Sequence, residues 1–515
     1  MPDTAELLHN TIAFPILDAT DLAALAPLAS SCTYRDGEIV FRAGDADLDL
    51  FVVETGAMDI VNPSDGNRLV VTHGPGQFAG DIDLLTRRPV IVTGIARGAT
   101  RLMRVPGSRL REVLNKMSWL GEKMLIAAQE RRRLLSAAGV LGMKVVGPGK
   151  CRDTMLVREF LFKNFVPFTW YESGSERGLE LMTAWGSPKK SPVIEMGGGR
   201  LLINPGLREL AQAAGVWRHC PGDLVDLAVV GAGPAGMTAA VYAASEGLST
   251  VVVDRLGPGG QAAGSSKIEN FIGFPAGLSG AELATRGVLQ MLKFGARMVS
   301  PVAVDRIEVP ADPREPRLLH LDCDTTVRAR VVLVATGVGW RKLPAVGAER
   351  FESAGIHYVC TAVEAVLYDE CDVIVVGGGN SAGQAAMHLA ECCRTRRVHL
   401  VVRSPLGSAM SEYLVSRIRG AENITVHEGT EVAEVEGGHH LEYAVLEHKS
   451  GVRERLRCSG VFVFIGADPA AGWLPPELAR DDLGYILTGS DALRSGRWPL
   501  THRDPCPLLW GRFSS

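Results

Sequence analysis

"LVDLAVVGAGPAGMTAAVYAASEGLSTVVVDR", residues 224–255, decides the fold. An apolar run ends in a glycine-rich turn. An alanine-rich helical segment follows, and a second apolar run closes on an acid. This is a βαβ unit written to hold a dinucleotide. Gly231 makes the tight turn, Gly233 lets a pyrophosphate approach the backbone, and Gly236 lets helix and strand pack closely. The helix start at Pro234 and Ala235 presents free N–H groups and a partial positive charge to phosphates. Asp254 ends the second strand roughly 20 residues on, where a carboxylate can hold a ribose hydroxyl.

Residues 370–404, "ECDVIVVGGGNSAGQAAMHLAECCRTRRVHLVVRS", repeat the pattern. The turn is now "GGGNSA", with Gly377, Gly379, Asn380, Ser381 and Ala382 as candidate contacts. Arg403 ends the following strand. One such turn is weak evidence. Two, each with strand before, helix after and a charge at the right distance, define two Rossmann-like domains. The fold class is therefore multidomain α/β.

Composition agrees. The chain has 515 residues, 46% of them hydrophobic and 22% charged. That is a globular chain of roughly three or four domains. A net charge of −4 gives no electrostatic reason to expect nucleic acid or an anionic membrane as partner. The longest apolar run is broken by Gly and Pro, and the N-terminus lacks a basic, cleavable leader, so a cytoplasmic protein is expected. The ten cysteines include no CxxC, and no metal site is expected.

Two units precede the repeat. Residues 10–138 open with short β-rich runs and Gly turns, the pattern of a small β-barrel or jelly roll. Ser108 then caps a long helical pattern, "RLREVLNKMSWLGEKMLIAAQERRRLLSAAG", the C-terminal helices of this unit. Residues 143–218 read as strand, helix, strand, hairpin and helix.

The motifs after residue 254 carry a resemblance. "GPGGQAAGSSKIENFIGFP" and "VLVATGVGWRKLP" resemble the low-molecular-weight thioredoxin reductases, FAD- and NAD(P)-dependent pyridine nucleotide-disulfide oxidoreductases. The resemblance implies FAD on the first turn, with Gly259, Gly260, Gln261 and Asn270 along the flavin. It makes Ala335, Thr336 and Gly337 the passage to the second domain. It implies an FAD domain of 224–337 and 464–515 with an inserted NAD(P)H domain at 338–463. NADPH is favoured through Arg403, and NADH is not excluded because Ser404 replaces a second basic residue.

"CTAVEA", residues 360–365, aligns with the redox segment of that family. Cys360 takes the place of its first cysteine, but Val363 replaces the second, so the thiol route from flavin is broken there. After about Gly489 neither the family's Gly-Asp strand nor its helix is expected, and the FAD domain is expected to be truncated with an apolar face exposed.

Residues 10–138 resemble a cyclic-nucleotide-binding barrel whose phosphate cassette has Val90 where an Arg belongs. That argues against cyclic nucleotide as a ligand. Residues 143–218 resemble a thioredoxin or glutaredoxin fold, with Pro192 as its cis-proline. Cys151 sits at its nucleophile position, with Lys150 and Arg152 beside it. The implied activity is an NAD(P)H-dependent flavin oxidoreductase passing electrons to a disulfide, with Cys360 and Cys151 as catalytic candidates. The partner would be a small redox protein or small-molecule acceptor, and a homodimer is compatible. The alternatives are a ferredoxin- or quinone-type NADP reductase, and a sensory protein with impaired catalysis.

Overall fold

The structure is a computed structural model. It describes residues 10–495 except 47, 81–87, 138–141, 150, 197–198, 219, 221, 266–267, 269–270, 311, 313, 353, 361–363, 366, 369–370 and 439. Asp81, Arg87, Lys150, Asn270, Val363 and the segment 496–515 therefore lie outside the described residues.

The first unit is antiparallel. Its strands are β1 (Ser30–Tyr34), β2 (Ile39–Phe41), β3 (Leu50–Asn62), β4 (Arg68–His73), β5 (Phe78–Ala79) and β6 (Thr93–Val105). The order is β1-β6-β3-β4, with β2 on β6 and β5 on β3. Phe41, Phe51, Val53, Met58 and Leu102 fill it. The helical pattern after Ser108 is two helices, Leu110–Lys116 and Ser118–Ala137, and Ser108 is not their cap but lies inside a preceding 3-10 turn. The chain breaks at Met117 (φ −116°, ψ 69°). The break lets Leu110, Val113 and Leu114 share one core with Leu120, Met124 and Ala127. Gly121 makes the close approach, since a Cβ there would lie 3.0 Å from Leu114 Cα.

The second unit has β7 (Met143–Gly147), β8 (Phe168–Glu172), β9 (Val193–Glu195) and β10 (Leu201–Ile203) in the order β10-β9-β7-β8. β7 and β8 are parallel, and β9 and β10 run antiparallel. The Arg152–Lys163 helix buries Val157, Phe160 and Leu161 against this sheet. A further helix, Glu176–Ala184, was not foreseen; Ser175 caps it, its side chain accepting from the Gly178 N–H. The Ser191–Pro192 bond is cis, and Pro192 packs beside Gly147 and Thr154 at the start of the Arg152–Lys163 helix.

The third unit holds β11 (Val225–Val230), β12 (Thr250–Val253), β13 (Arg297–Val299), β14 (Val304–Glu308), β15 (Arg317–Leu321) and β16 (Thr326–Val334), in the order β13-β12-β11-β16-β15-β14. The first four in that order are parallel, and β12 and most of β11 are buried apolar runs, as a sheet covered on both faces demands. Beyond Ala329, β16 pairs with β11 alone among the described residues, and Val331 is 57% exposed.

β17 (Val338–Trp340) leaves this unit and pairs with the returning β26 (Ala467–Pro469). Between them lies the fourth unit. β18 (Ile356–His357), β19 (Val373–Val376), β20 (Val398–Val402), β21 (Ile424–Glu428) and β25 (Gly460–Val463) form a parallel sheet, β18-β25-β19-β20-β21. β22 (Thr430–Gly437), β23 (Leu441–His448) and β24 (Arg453–Arg457) form an antiparallel sheet. A short helix, Gly489–Arg494, is the last described element, and the expected loss of the family's Gly-Asp strand and helix falls on 497–515, outside the described residues. Among the described residues no helix is long and apolar enough to cross a membrane, and no cluster of metal-ligating side chains occurs.

Candidate active site

Three loops meet at the end of β11. A Cβ on Gly231 (φ +105°) would lie 2.3 Å from the Ala335 carbonyl oxygen and 3.1 Å from the Thr336 nitrogen. One on Gly236 would lie 1.9 Å from the Gly231 oxygen. The Gly259 N–H donates to the Ala232 carbonyl (2.8 Å), which brings Gly260 (φ +55°) against Gly233; a Cβ on Gly260 would be 2.9 Å from Gly233 Cα. The Ala335 N–H donates to the Val230 carbonyl (2.8 Å). The result is a cradle walled by backbone alone. Gly233 N-caps the Pro234–Ser245 helix without any side-chain cap, so its first N–H groups face the cradle. This fits a pyrophosphate.

Asp254 braces the same cradle. Its Oδ2 accepts from the Ala232 N–H (2.8 Å), and its Oδ1 accepts from the Leu256 and Gly257 N–H groups (2.9 Å each). A carboxylate has about four lone-pair sites, so capacity for a ribose hydroxyl remains. Gln261 donates from Nε2 to the Val338 carbonyl and so ties the "GGQ" loop to the crossover strand β17. Gly337 (φ +63°) turns the chain into β17, and its carbonyl accepts from the Ala470 N–H (3.2 Å).

The second turn follows β19. A Cβ on Gly377 (φ +144°) would lie 2.3 Å from the Phe464 carbonyl oxygen, whereas one on Gly379 meets nothing within 4 Å. Gly379 N-caps the Asn380–Cys392 helix, again without a side-chain cap. The Asn380 Oδ1 accepts from the Ser411 N–H (2.7 Å) and hydroxyl (2.8 Å), which holds the Met410–Ser411 loop over the helix start. Ser381 is exposed and Ala382 fully buried. Arg403 is exposed at the end of β20, with no hydrogen bond or ion pair to another described residue.

The two candidate thiols differ. Cys360 packs against the fourth unit's core. Burial, and then the nearby Glu364, push its thiol up to about 12. Cys151 is partly exposed and N-caps the Arg152–Lys163 helix with extended backbone (φ −107°, ψ 131°). The loop before it is held by Glu172, whose Oε2 accepts from the Gly149 N–H (2.7 Å), and by Trp170, whose Nε1 donates to the Gly147 carbonyl (3.1 Å).

Sequence reasoning missed the residues that join the units. Asn164, 2% exposed, donates from Nδ2 to the Leu256 carbonyl (2.8 Å) and accepts from the Ser300 hydroxyl (3.0 Å). It therefore holds the loop that Asp254 braces. Arg158 stacks its guanidinium 4.1 Å from the Trp170 ring and lies in the field of both Glu172 and Glu364. Burial lowers its basicity, and the two carboxylates oppose that. The second unit thus touches the third through Asn164, and its Arg158 lies in the field of Glu364 of the fourth. The one local signal was a buried-face Asn at the helix end, where the apolar pattern expects none.

The barrel also docks. Arg88 donates to the Phe165 carbonyl (3.4 Å), and Pro89 fills the space beside Gly215. Val90 is a barrel core residue, its backbone paired with Gly44 and Asp45. The buried Arg131, from the Ser118–Ala137 helix, donates to the carbonyls of Gly80 and Ala13 and stacks on Phe14 and Phe78.

Two uncapped helix N-termini follow the parallel strands β11 and β19, and the β17–β26 pair joins the two units, the layout of a protein that binds two dinucleotides. The model of the pyridine nucleotide-disulphide oxidoreductases matches residues 225–491, just over half of the chain, and the chain belongs to that family. It is an NAD(P)H-dependent flavin oxidoreductase of the disulphide-reducing type. The cyclic nucleotide-binding domain model matches residues 31–117. Relatives include a thioredoxin reductase of Mycoplasmopsis pulmonis (strain UAB CTIP), 32% identical over 266 residues, 52% of this chain and 84% of the relative. A thioredoxin reductase of Mycolicibacterium smegmatis is 33% identical over 263 residues, 51% of this chain and 81% of its own. Among solved structures, thioredoxin reductase of Lactococcus lactis (FR conformation) aligns at 27% identity and a TM-score of 0.46, over 51% of this chain and 84% of that one.

Proposed function

We propose that FAD lies on the first glycine cradle and NADPH on the second, and that the electrons leave to a disulfide of a small redox protein. The carrying observation is the backbone cradle of Gly231, Gly233 and Gly236 against Gly260 beside an open helix N-terminus, an arrangement that suits a pyrophosphate. FAD, when bound, supplies the two-electron relay between a nicotinamide and a disulfide. The net change is NADPH plus a proton plus a disulfide, giving NADP+ and two thiols.

The protein's own residues orient and exclude. Asp254 and Asn164 fix the ribose end of the cradle. Arg403, exposed and unpartnered among the described residues, supports the choice of NADPH, because a guanidinium pairs bidentately with a 2′-phosphate. The strand order β10-β9-β7-β8, with β8 parallel to β7, supports reading the second unit as thioredoxin-like. Its Cys151 is the thiol we assign to exchange with the partner: it attacks the partner disulfide, forming a mixed disulfide and releasing one partner thiol, and the two electrons from NADPH then cleave the mixed disulfide, restoring Cys151 and releasing the second thiol; the protonated, packed Cys360 is not assigned. The barrel serves as a docked structural unit. Val90 offers a phosphate no charge, and Arg88 is spent on Phe165.

The test is anaerobic. Protein reduced with NADPH is mixed with oxidised thioredoxin, and flavin reoxidation is followed. The wild type and Cys360→Ser should reoxidise and Cys151→Ser should not. Reoxidation that survives Cys151→Ser would remove Cys151 from the route.

A further inference from the structure

Two thiols meet far from the glycine turns. Cys220 lies in the linker between the Leu207–Ala213 helix and β11. Cys323 lies in the tight turn between β15 and β16, where Asp324 takes φ +58° and donates from its N–H to the Leu321 carbonyl (3.1 Å). Both pack on one cluster of the third unit, with Val225, Leu319, Leu321 and Val327. Each thiol lies in the other's electrostatic field, and Cys323 also reaches the Thr325 hydroxyl (Sγ–Oγ1 3.5 Å).

The same turn is gripped by the second unit. Arg208 donates to the Asp322 carbonyl (2.8 Å) and stands 3.8 Å from its carboxylate. Trp217 lies under the Arg208 guanidinium (5.5 Å) and packs on the same cluster. Cys220 precedes β11 and Cys323 precedes β16, and these strands are parallel. The pair therefore sits at the N-terminal edge of the sheet, whereas Gly231 and Ala335 follow the same strands at the opposite edge. The thiols take no part in the dinucleotide sites.

We propose that Cys220 and Cys323 form a reversible disulfide that tethers the second unit's linker to the flavin-unit sheet. Both residues keep partial exposure, so a small oxidant can reach them. The oxidant is a low-molecular-weight disulfide of the glutathione class. Cys323 attacks one of its sulfurs as thiolate, forming a mixed disulfide and releasing one small thiol. Cys220 then attacks the Cys323 sulfur, forming the internal S–S bond and releasing the second small thiol. The protein loses two electrons and two protons, and both appear on the released thiols. Burial, with Cys323 and Asp322 alongside, pushes the Cys220 thiol up to about 12. The bond would close a loop of about a hundred residues, and the constraint a crosslink places on the unfolded chain grows with loop length. In a reducing compartment such a bond acts as a sensor of oxidation rather than as a permanent staple.

The full chain is incubated with oxidised glutathione, quenched in acid, alkylated and digested. A crosslinked peptide pair carrying Cys220 and Cys323 is expected, lost on treatment with dithiothreitol. Cys323→Ser should abolish it. Recovery of both residues alkylated, or each as a separate glutathione adduct, would overturn the proposal. Tryptic cleavage after Arg218 should slow severalfold in the oxidised wild type and not in Cys220→Ala. Equal rates in oxidised and reduced wild type would overturn the tether.

Discussion

Gly236 and Gly379 show how single residues divide the two sites. A Cβ at Gly236 would strike the Gly231 carbonyl, so Gly236→Ala should cost about 1–3 kcal/mol and lower the flavin-to-protein ratio on purification. At Gly379 a Cβ meets no protein atom within 4 Å, and in the proposed reading that space takes the pyrophosphate of NADPH. Gly379→Ala should therefore keep its flavin and melting temperature while KM for NADPH rises. Arg403→Ala should raise KM for NADPH about tenfold, equivalent to about 1.4 kcal/mol, and leave KM for NADH unchanged. The thiol of Cys360 adds a pH dependence. Its folded value, about 12, lies above the ordinary thiol value, so the contribution is full below that ordinary value and fades as pH climbs toward 12. Denaturation midpoints should fall across that alkaline window, and Cys360→Ala should flatten the fall. These glycines were legible because each role is a local backbone demand. Asp254 was legible as a residue but not as a brace, since its partners at 232 and 256–257 come together only in the folded loop.

At the scale of elements, the C-terminal end of the Arg152–Lys163 helix is a junction. Asn164 bonds to the loop after Asp254, and the next residue, Phe165, receives Arg88 from the barrel. Asn164→Ala leaves the Leu256 carbonyl and Ser300 hydroxyl without this partner. It should lower stability by about 2 kcal/mol and speed flavin release, read by denaturant titration and by flavin fluorescence after dilution. The strands, the hairpin and this helix were legible from their two- and 3.6-residue periods. The break at Met117 was not. It exists because residues on both sides face the same barrel core, which a single straight helix cannot do. The Glu176–Ala184 helix escaped notice although Ser175 is a standard cap.

For the whole molecule, the sequence carried the order of the units but not their docking. Arg88 with Phe165, Arg158 with Glu364 and Arg208 with Asp322 join residues 77 or more positions apart, and no periodic pattern records such pairs. The docking places the thiol-bearing unit against both nucleotide units, which a freely tethered domain would not achieve. All of this rests on the claim that the first cradle holds a flavin that NADPH can reduce. The direct measurement is the visible absorption spectrum of the purified full chain before and after one equivalent of NADPH without oxygen. The account predicts flavin bands near one per chain that bleach on addition. A colourless protein that stays colourless when given FAD, or flavin bands indifferent to NADPH, would contradict it.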